Sequence, residues 1–299
     1  MDLVTPAYRT AAALARRAPA PVVAAAARRL GRLAYLTASG RRAQVERNLR
    51  RIDPTLSDRE VARLARQTFE TYARYYEESF RLPTTPPEAV DAGFTHEGYE
   101  HLQAALDAGT GAIMAIPHLG AWEWSGFWLA RVKGVPVTVV VERLEPPALF
   151  EWFVDLRRSF GFDIVPLGPE AGTATAKALK ENRVLGLLCD RDLTGTGPEV
   201  EFFGERTTLP GGPATLALRS GAPLLPTAVY FDGDTRHGVV LPPIDTTRQG
   251  RLRDDVARVT QDLARALEEL IRRAPEQWLL LQPNWPSDRE AAEPAGGHR

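Results

Sequence analysis

What this 299-residue sequence lacks excludes several kinds of protein at the outset. Cys189 is its only cysteine, so no internal disulfide can form, a thiolate metal site has no second ligand, and a reducing cytoplasm is the expected compartment. No apolar run approaches the ~20 residues that a membrane-spanning helix requires. The most hydrophobic stretch, AAALARRAPAPVVAAAARRLGRLAYL, is broken by paired arginines and by Pro19 and Pro21, and it has neither the apolar core nor the cleavage pattern of a signal peptide. G-x-S-x-G and H-E-x-x-H are both absent, which removes the usual serine hydrolases and zincins. GTGPEVEFFGE lacks the lysine of a phosphate-binding loop, and GTGAIM lacks the full dinucleotide fingerprint.

Lysine is scarce as well, and its positions decide one alternative. VLGLLCDRDLTGT presents D-x-D-x-T after an apolar run, as haloacid-dehalogenase-type phosphatases do, but those enzymes need a lysine downstream. Lys133, Lys177 and Lys180 all precede Asp190.

Composition is otherwise that of an ordinary globular protein, with 44% hydrophobic and 25% charged residues. The net charge of -1 hides an asymmetry, because residues 1–51 carry eleven arginines against Asp2 and Glu46, a local +9, leaving -10 for the rest. Such an arm suits an anionic partner. Nucleic acid is disfavoured, since Tyr8 and Tyr35 are the arm's only aromatics for stacking. An anionic membrane surface, met by a basic amphipathic segment, remains; a helix packed on its own domain with solvated arginines is compatible with it.

Along the chain, residues 43–82 predict two helices separated at Asp53-Pro54, the second opened by a capping box of Ser57 and Glu60. Short apolar runs then alternate with helical stretches: AIMAIP, VPVTVVVE, FDIVPL, VLGLLC, EVEFF, PLLPTAVYF and GVVLPPI read as strands, and residues 251–273 as a long charged helix. The expected fold is α/β, a central mixed sheet with helices on both faces, preceded by N-terminal amphipathic helices. The expected division is 1–82 as a basic membrane-surface region, 83–286 as the α/β core and 287–299 as a disordered tail.

In open α/β sheets, functional side chains gather at the carboxyl ends of strands, where PHLGAWE and CDRDLTG both fall. His118 and Glu123 are five residues apart, about 140° on one regular helix, so they meet only if His118 lies in the preceding turn. A neutral imidazole steadied by a carboxylate is a general base without a protein nucleophile. Trp122, Trp124, Phe127 and Trp128 fit either a lipid-lined path or plain core. Cys189 reads as a buried small residue.

PHLGAWEW after a strand resembles the H-x4-D/E motif of the glycerolipid acyltransferase superfamily, in its branch of lipid A biosynthesis lauroyl and myristoyl acyltransferases. The likeness extends over most of the chain through VERNL, HEGYEHL, VVVERLEPPALFEWFVDLRRSFGFDIVPLG, DRDLTGTGPEVEFFGERTTLPGG and PEQWLLLQPNWP. The ERL and EVEFFGE wording most resembles actinobacterial members that acylate phosphatidylinositol mannosides. The resemblance implies a glycerolipid acyltransferase-like fold and transfer of a fatty acyl group from acyl-CoA to a sugar hydroxyl of a membrane glycolipid, with no cofactor and no metal. His118 becomes the base and Glu123 the motif acid, while Asp190 becomes a charge-relay candidate that competes with Glu123. Glu142, Arg143, Arg157, Arg191, Asp192 and Trp122 become candidates for substrate binding. The implied location is peripheral, on the cytoplasmic face of the membrane. A lipid A-like or lysophospholipid acceptor, and a non-catalytic lipid-binding protein, are the alternatives carried forward.

Overall fold

A computed structural model describes residues 2–292 of the chain. Four helices come first: α1 (Val4–Arg17), α2 (Ala20–Thr37), α3 (Ser39–Ile52) and α4 (Asp58–Arg81). The Ser57–Glu60 capping box opens α4 as the sequence predicts, each side chain bonded to the other's backbone N–H. After α5 (Pro87–Ala92) the alternating part runs β1 (Phe94–Glu97), α6 (Tyr99–Asp107), β2 (Ala112–Ile116), α7 (Trp122–Phe127), β3 (Val137–Val141), α8 (Pro147–Ser159), β4 (Phe162–Pro166), α9 (Ala171–Lys180) and β5 (Val184–Leu188). It continues through β6 (Glu199–Phe202), β7 (Glu205–Thr208), α10 (Gly212–Ser220), β8 (Leu224–Asp232), β9 (Thr235–Val240), α11 (Leu252–Arg273) and α12 (Pro286–Ala292).

Among the described residues the main sheet has seven strands in the order β1-β9-β8-β2-β5-β3-β4. All neighbours are parallel except the β8–β9 hairpin. Both faces are covered, which is why β2 and β8 are continuous apolar runs rather than alternating ones. One core layer joins β2 and β3 to α4, α7 and α8, and the other joins β5 and β8 to α10 and α11. EVEFF pairs with β7 in a separate hairpin.

Two expectations about domains are corrected. The N-terminal helices are not a separate region: Val45, Leu49, Val61 and Phe69 share a core layer with Met114 and Phe162. Residues 287–292, expected as tail, belong to α12. Fully buried Asp288 accepts from Gln44, Arg47 and Arg51 of α3 and from the backbone N–H groups of Asn284 and Trp285 just ahead of its own helix, which anchors the segment. The rest of the expected tail lies outside the described residues.

Candidate active site

Strand register alone brings two of the expected residues together. Ile116 of β2 faces Leu188 of β5, so two residues beyond each strand end His118 and Asp190 emerge side by side. Pro117 has no N–H to continue the ladder, and the chain turns there. Gly120 completes the turn at φ +61°, pressed so close to β8 that a Cβ would lie 2.0 Å from the Val229 carbonyl oxygen, and only glycine meets both demands. Ala121 N–H donates to that same oxygen at 2.9 Å.

The turn leaves His118 partly exposed beside a fully buried Asp190. The ring Nδ1 and Asp190 Oδ1 are 2.7 Å apart, and the His118 backbone N–H donates to Oδ2 at 2.9 Å. Burial pushes the Asp190 carboxyl up. The His118 charge and the hydrogen bonds from His118 and Trp278 more than offset that, holding it below the usual carboxylate range. A carboxylate at Nδ1 selects the tautomer with the proton on Nδ1, leaving Nε2 as the basic nitrogen, with no protein partner among the described residues.

Glu123 is not the partner of His118. It sits in the first turn of α7 as expected, but its carboxylate accepts from Arg157 Nη2 at 2.6 Å and Nε at 2.9 Å, and from the Tyr75 hydroxyl at 3.2 Å. The Trp122 ring fills the side of the imidazole, edge-on at 5.8 Å, and stacks on Tyr75 at 4.2 Å. With a cation and a phenol already bonded to it, the buried Glu123 has its charge compensated away from the histidine. The same ion pair raises Arg157 against the depressing effect of burial, and burial together with Glu123 raises the Tyr75 phenol far above its ordinary value.

A cavity of about 260 Å³ opens at His118 and runs beneath the sheet. Three adjacent parallel strands supply its floor: Met114 and Ile116 of β2 and Val184 and Gly186 of β5 at the period of two, joined by Leu187 and Leu188 at the end of β5 and by Val137 and Val139 to Val141 of β3. Phe162, Gly126 and Leu129 line the end away from His118, and Tyr72, Tyr75 and Tyr76 of α4 form a wall. Trp122, Glu142, Arg157 and Arg191 all line it as the sequence reading proposed, with Glu142 and Arg191 paired at 3.8 Å beyond the ends of β3 and β5.

Two expected residues do not. Arg143 is not among the residues lining the cavity, and its guanidinium lies 5.8 Å over the Phe150 ring instead. Asp192 is consumed by its own loop, where it accepts from the N–H groups of Thr194 and Gly197 and from the Thr194 hydroxyl. That loop also removes the phosphatase reading, because one aspartate of D-x-D-x-T is a local turn-former and the other is buried against a histidine. Trp124, Phe127 and Trp128 are core, not cavity wall. The fully buried Cys189 has its thiol pushed up by burial and by the neighbouring Asp190 charge, so it is inert.

Sequence reasoning missed the tyrosine wall and Trp278. The first had a signal, since Tyr72, Tyr75 and Tyr76 at i, i+3 and i+4 share one helix face. Trp278 had none, being 88 residues from Asp190, to which its indole N–H donates at 2.7 Å.

The profile of the bacterial lipid A biosynthesis acyltransferases matches residues 4–287. This chain belongs to that family. It is therefore an acyltransferase, and its mixed sheet with flanking helices accords with the family. A phosphatidylinositol mannoside acyltransferase of Mycolicibacterium smegmatis is 39% identical over 85% of this chain and 83% of its own length. The protein of that name from Mycobacterium tuberculosis is 43% identical over 74% of this chain and 70% of its own.

Proposed function

We propose that this acyltransferase moves a long-chain acyl group from acyl-CoA to a hydroxyl of a phosphatidylinositol mannoside, with His118 as general base and Asp190 as its orienting carboxylate. The observation that carries the reading is the 2.7 Å contact between His118 and the buried Asp190 at the head of an apolar cavity. The names of the relatives support the acceptor.

In the proposed reaction Nε2 of His118 takes the proton of the sugar hydroxyl as its oxygen bonds to the thioester carbonyl carbon. Asp190 stabilises the imidazolium that forms. Arg157, fixed in the cavity wall by Glu123, faces the negative charge on the thioester oxygen, and Arg191 beyond β5 meets a phosphate of the donor. Collapse of the tetrahedral species expels the CoA thiolate, which receives the proton from His118, and the ester is released without a covalent acyl-enzyme. Cofactor and metal have no step in this scheme.

The same reading places the protein on the cytoplasmic face of a membrane. No helix among the described residues is long and apolar enough to cross one. α2 is built inside out for a soluble helix: Gly31 and Ala34 pack inward, against α4, while Val22, Leu30, Leu33 and Leu36 are exposed, as are Val4 and Leu14 of α1 and Leu3 just before it. Exposed Arg9, Arg17, Arg28 and Arg29 flank these side chains and suit anionic headgroups. The membrane surface narrows to α1 and α2, since Arg47 and Arg51 of α3 are taken by Asp288.

The test is incubation of purified protein with labelled palmitoyl-CoA in excess chelator, against mannosylated phosphoinositides and lipid A precursors, with mass analysis of products. Label in an acylated mannoside is expected. Label confined to lipid A precursors would change the acceptor, and label only in free fatty acid would make the protein a thioesterase.

A further inference from the structure

The segment after α11 reaches behind the dyad and contacts both of its members. Gln277 accepts the Gly120 N–H through its backbone carbonyl at 3.0 Å, and the Leu279 N–H donates to the His118 carbonyl at 2.6 Å. Asn284 Nδ2 donates to the Asp190 backbone oxygen at 2.9 Å. Between them Trp278, itself buried, donates its indole N–H to Asp190 Oδ2 at 2.7 Å.

The carboxylate of an aspartate turns about a broad torsion and is held only by its partners. Here Oδ2 receives two donors, the Trp278 indole and the His118 backbone N–H, and this leaves Oδ1 turned to the imidazole. The indole cannot drift, because its ring packs edge-on against Phe202 and Trp285 and beside Phe203. The segment is tied in turn to α3, where Asn48 Nδ2 donates to the Leu280 carbonyl.

We propose that Trp278 is a positioning residue of the transfer reaction, acting through Asp190 to hold the His118 ring with Nε2 toward the cavity. The inference rests on His118 being the base. Trp278 is not among the described residues that line the cavity at His118, and it reaches the reacting atoms through the carboxylate.

Two substitutions separate this role from packing. Trp278→Phe keeps an aromatic ring and removes the donor. Trp278→His loses the same outer ring but keeps a donor, since its Nε2 stands where the indole Nε1 does on a five-membered ring attached to the same Cβ. If the donor matters, Trp278→Phe lowers kcat roughly ten- to a hundredfold with the KM for acyl-CoA within about twofold. The acid limb of its rate profile moves to higher pH, because a carboxylate with one donor fewer holds the imidazolium proton more strongly. Trp278→His keeps kcat near wild type on the pH plateau, where the added imidazole is neutral; the limb is compared between Trp278→Phe and wild type only, because the added imidazole titrates in the same range. The other ionisable groups around the dyad, Cys189 beside it and Glu123, Glu142, Arg157, Arg191 and the α4 tyrosines on the cavity, are unchanged in both variants. If Trp278→His is as impaired as Trp278→Phe on that plateau, or Trp278→Phe leaves the limb in place, the role is packing alone and the proposal is overturned.

A second readout needs no turnover. The proton between His118 Nδ1 and Asp190 gives a low-field resonance in wild type and Trp278→His, expected to broaden away in Trp278→Phe; an equally sharp signal in Trp278→Phe overturns the proposal. If wild type shows that resonance but transfers no acyl group to any acceptor, the functional reading fails while the positioning result stands.

Discussion

Asp190→Asn tests the dyad most sharply, because counting donors fixes the outcome. Asp190 meets three N–H groups: the Trp278 indole and His118 backbone at Oδ2, and the His118 ring at Oδ1. An asparagine offers one acceptor oxygen and one NH2 group. Its oxygen must take the Oδ2 place, since an NH2 there would face two donors in a fully buried site. The NH2 then points at His118 Nδ1 and turns the ring to the other tautomer, with Nε2 protonated and unable to accept. The whole general-base contribution of about 10² to 10⁴ is lost, equivalent to about 3–5 kcal/mol in the barrier. The assay is steady-state transfer from labelled acyl-CoA to a mannosylated phosphoinositide, with donor affinity measured separately. kcat should fall by that factor while donor binding is retained. An Asp190→Asn enzyme with more than a tenth of wild-type kcat would refute the tautomer argument.

Glu123→Gln leaves the partly buried Arg157 without its counter-charge, which should cost about 3 kcal/mol of stability, seen as a Tm lower by roughly 5–10 °C in calorimetry, and should lower kcat as well because Arg157 is no longer held at the thioester oxygen. Gly186 lies on one sheet rung with Met114 and Val139, four residues of strand from His118 or about 13 Å, so Gly186→Val should block the cavity near the tenth carbon of a chain that advances about 1.25 Å per carbon. Competition among acyl-CoA lengths, read by mass spectrometry, should shift towards shorter products, and unchanged preference would place the chain elsewhere. Replacing Leu30 and Leu33 by Ser should lower binding to anionic vesicles in flotation roughly a hundredfold or more without changing the fold, as about 1.5–3 kcal/mol rests on each exposed leucine that enters the bilayer. Asp190 and Asp288 are both held below their ordinary values, so their stabilisation is present above the unfolded value of about 3.9 and is lost as pH falls through the folded ones. Thermal melts should be flat in this respect from about pH 5 to 7 and drop below about pH 4.

The sheet was legible because its interior strands are short, β-branched and continuous, and the α4 start because its capping box is local. β1 and β7 were not: FTHE and ERTT are polar, and become strands only through pairing with β9 and β6. His118 and the two acidic candidates could be named from PHLGAWE and DRDLTG, but the choice between them depended on register. Spacing favoured Glu123 by proximity in the chain. Pairing of Ile116 with Leu188 delivered Asp190 instead, and Arg157, 34 residues beyond Glu123, claimed the nearer carboxylate. The inside-out face of α2 could be seen only once its packing against α4 was known.

In the proposed reaction His118 takes the proton from the acceptor hydroxyl. The most direct measurement is acyl transfer by His118→Ala to mannosylated phosphoinositide, followed by mass spectrometry beside a donor-binding titration. On this reading acyl-CoA should still bind, and the acylated glycolipid should form about 10² to 10⁴ times more slowly. Product formed at near the wild-type rate would contradict it.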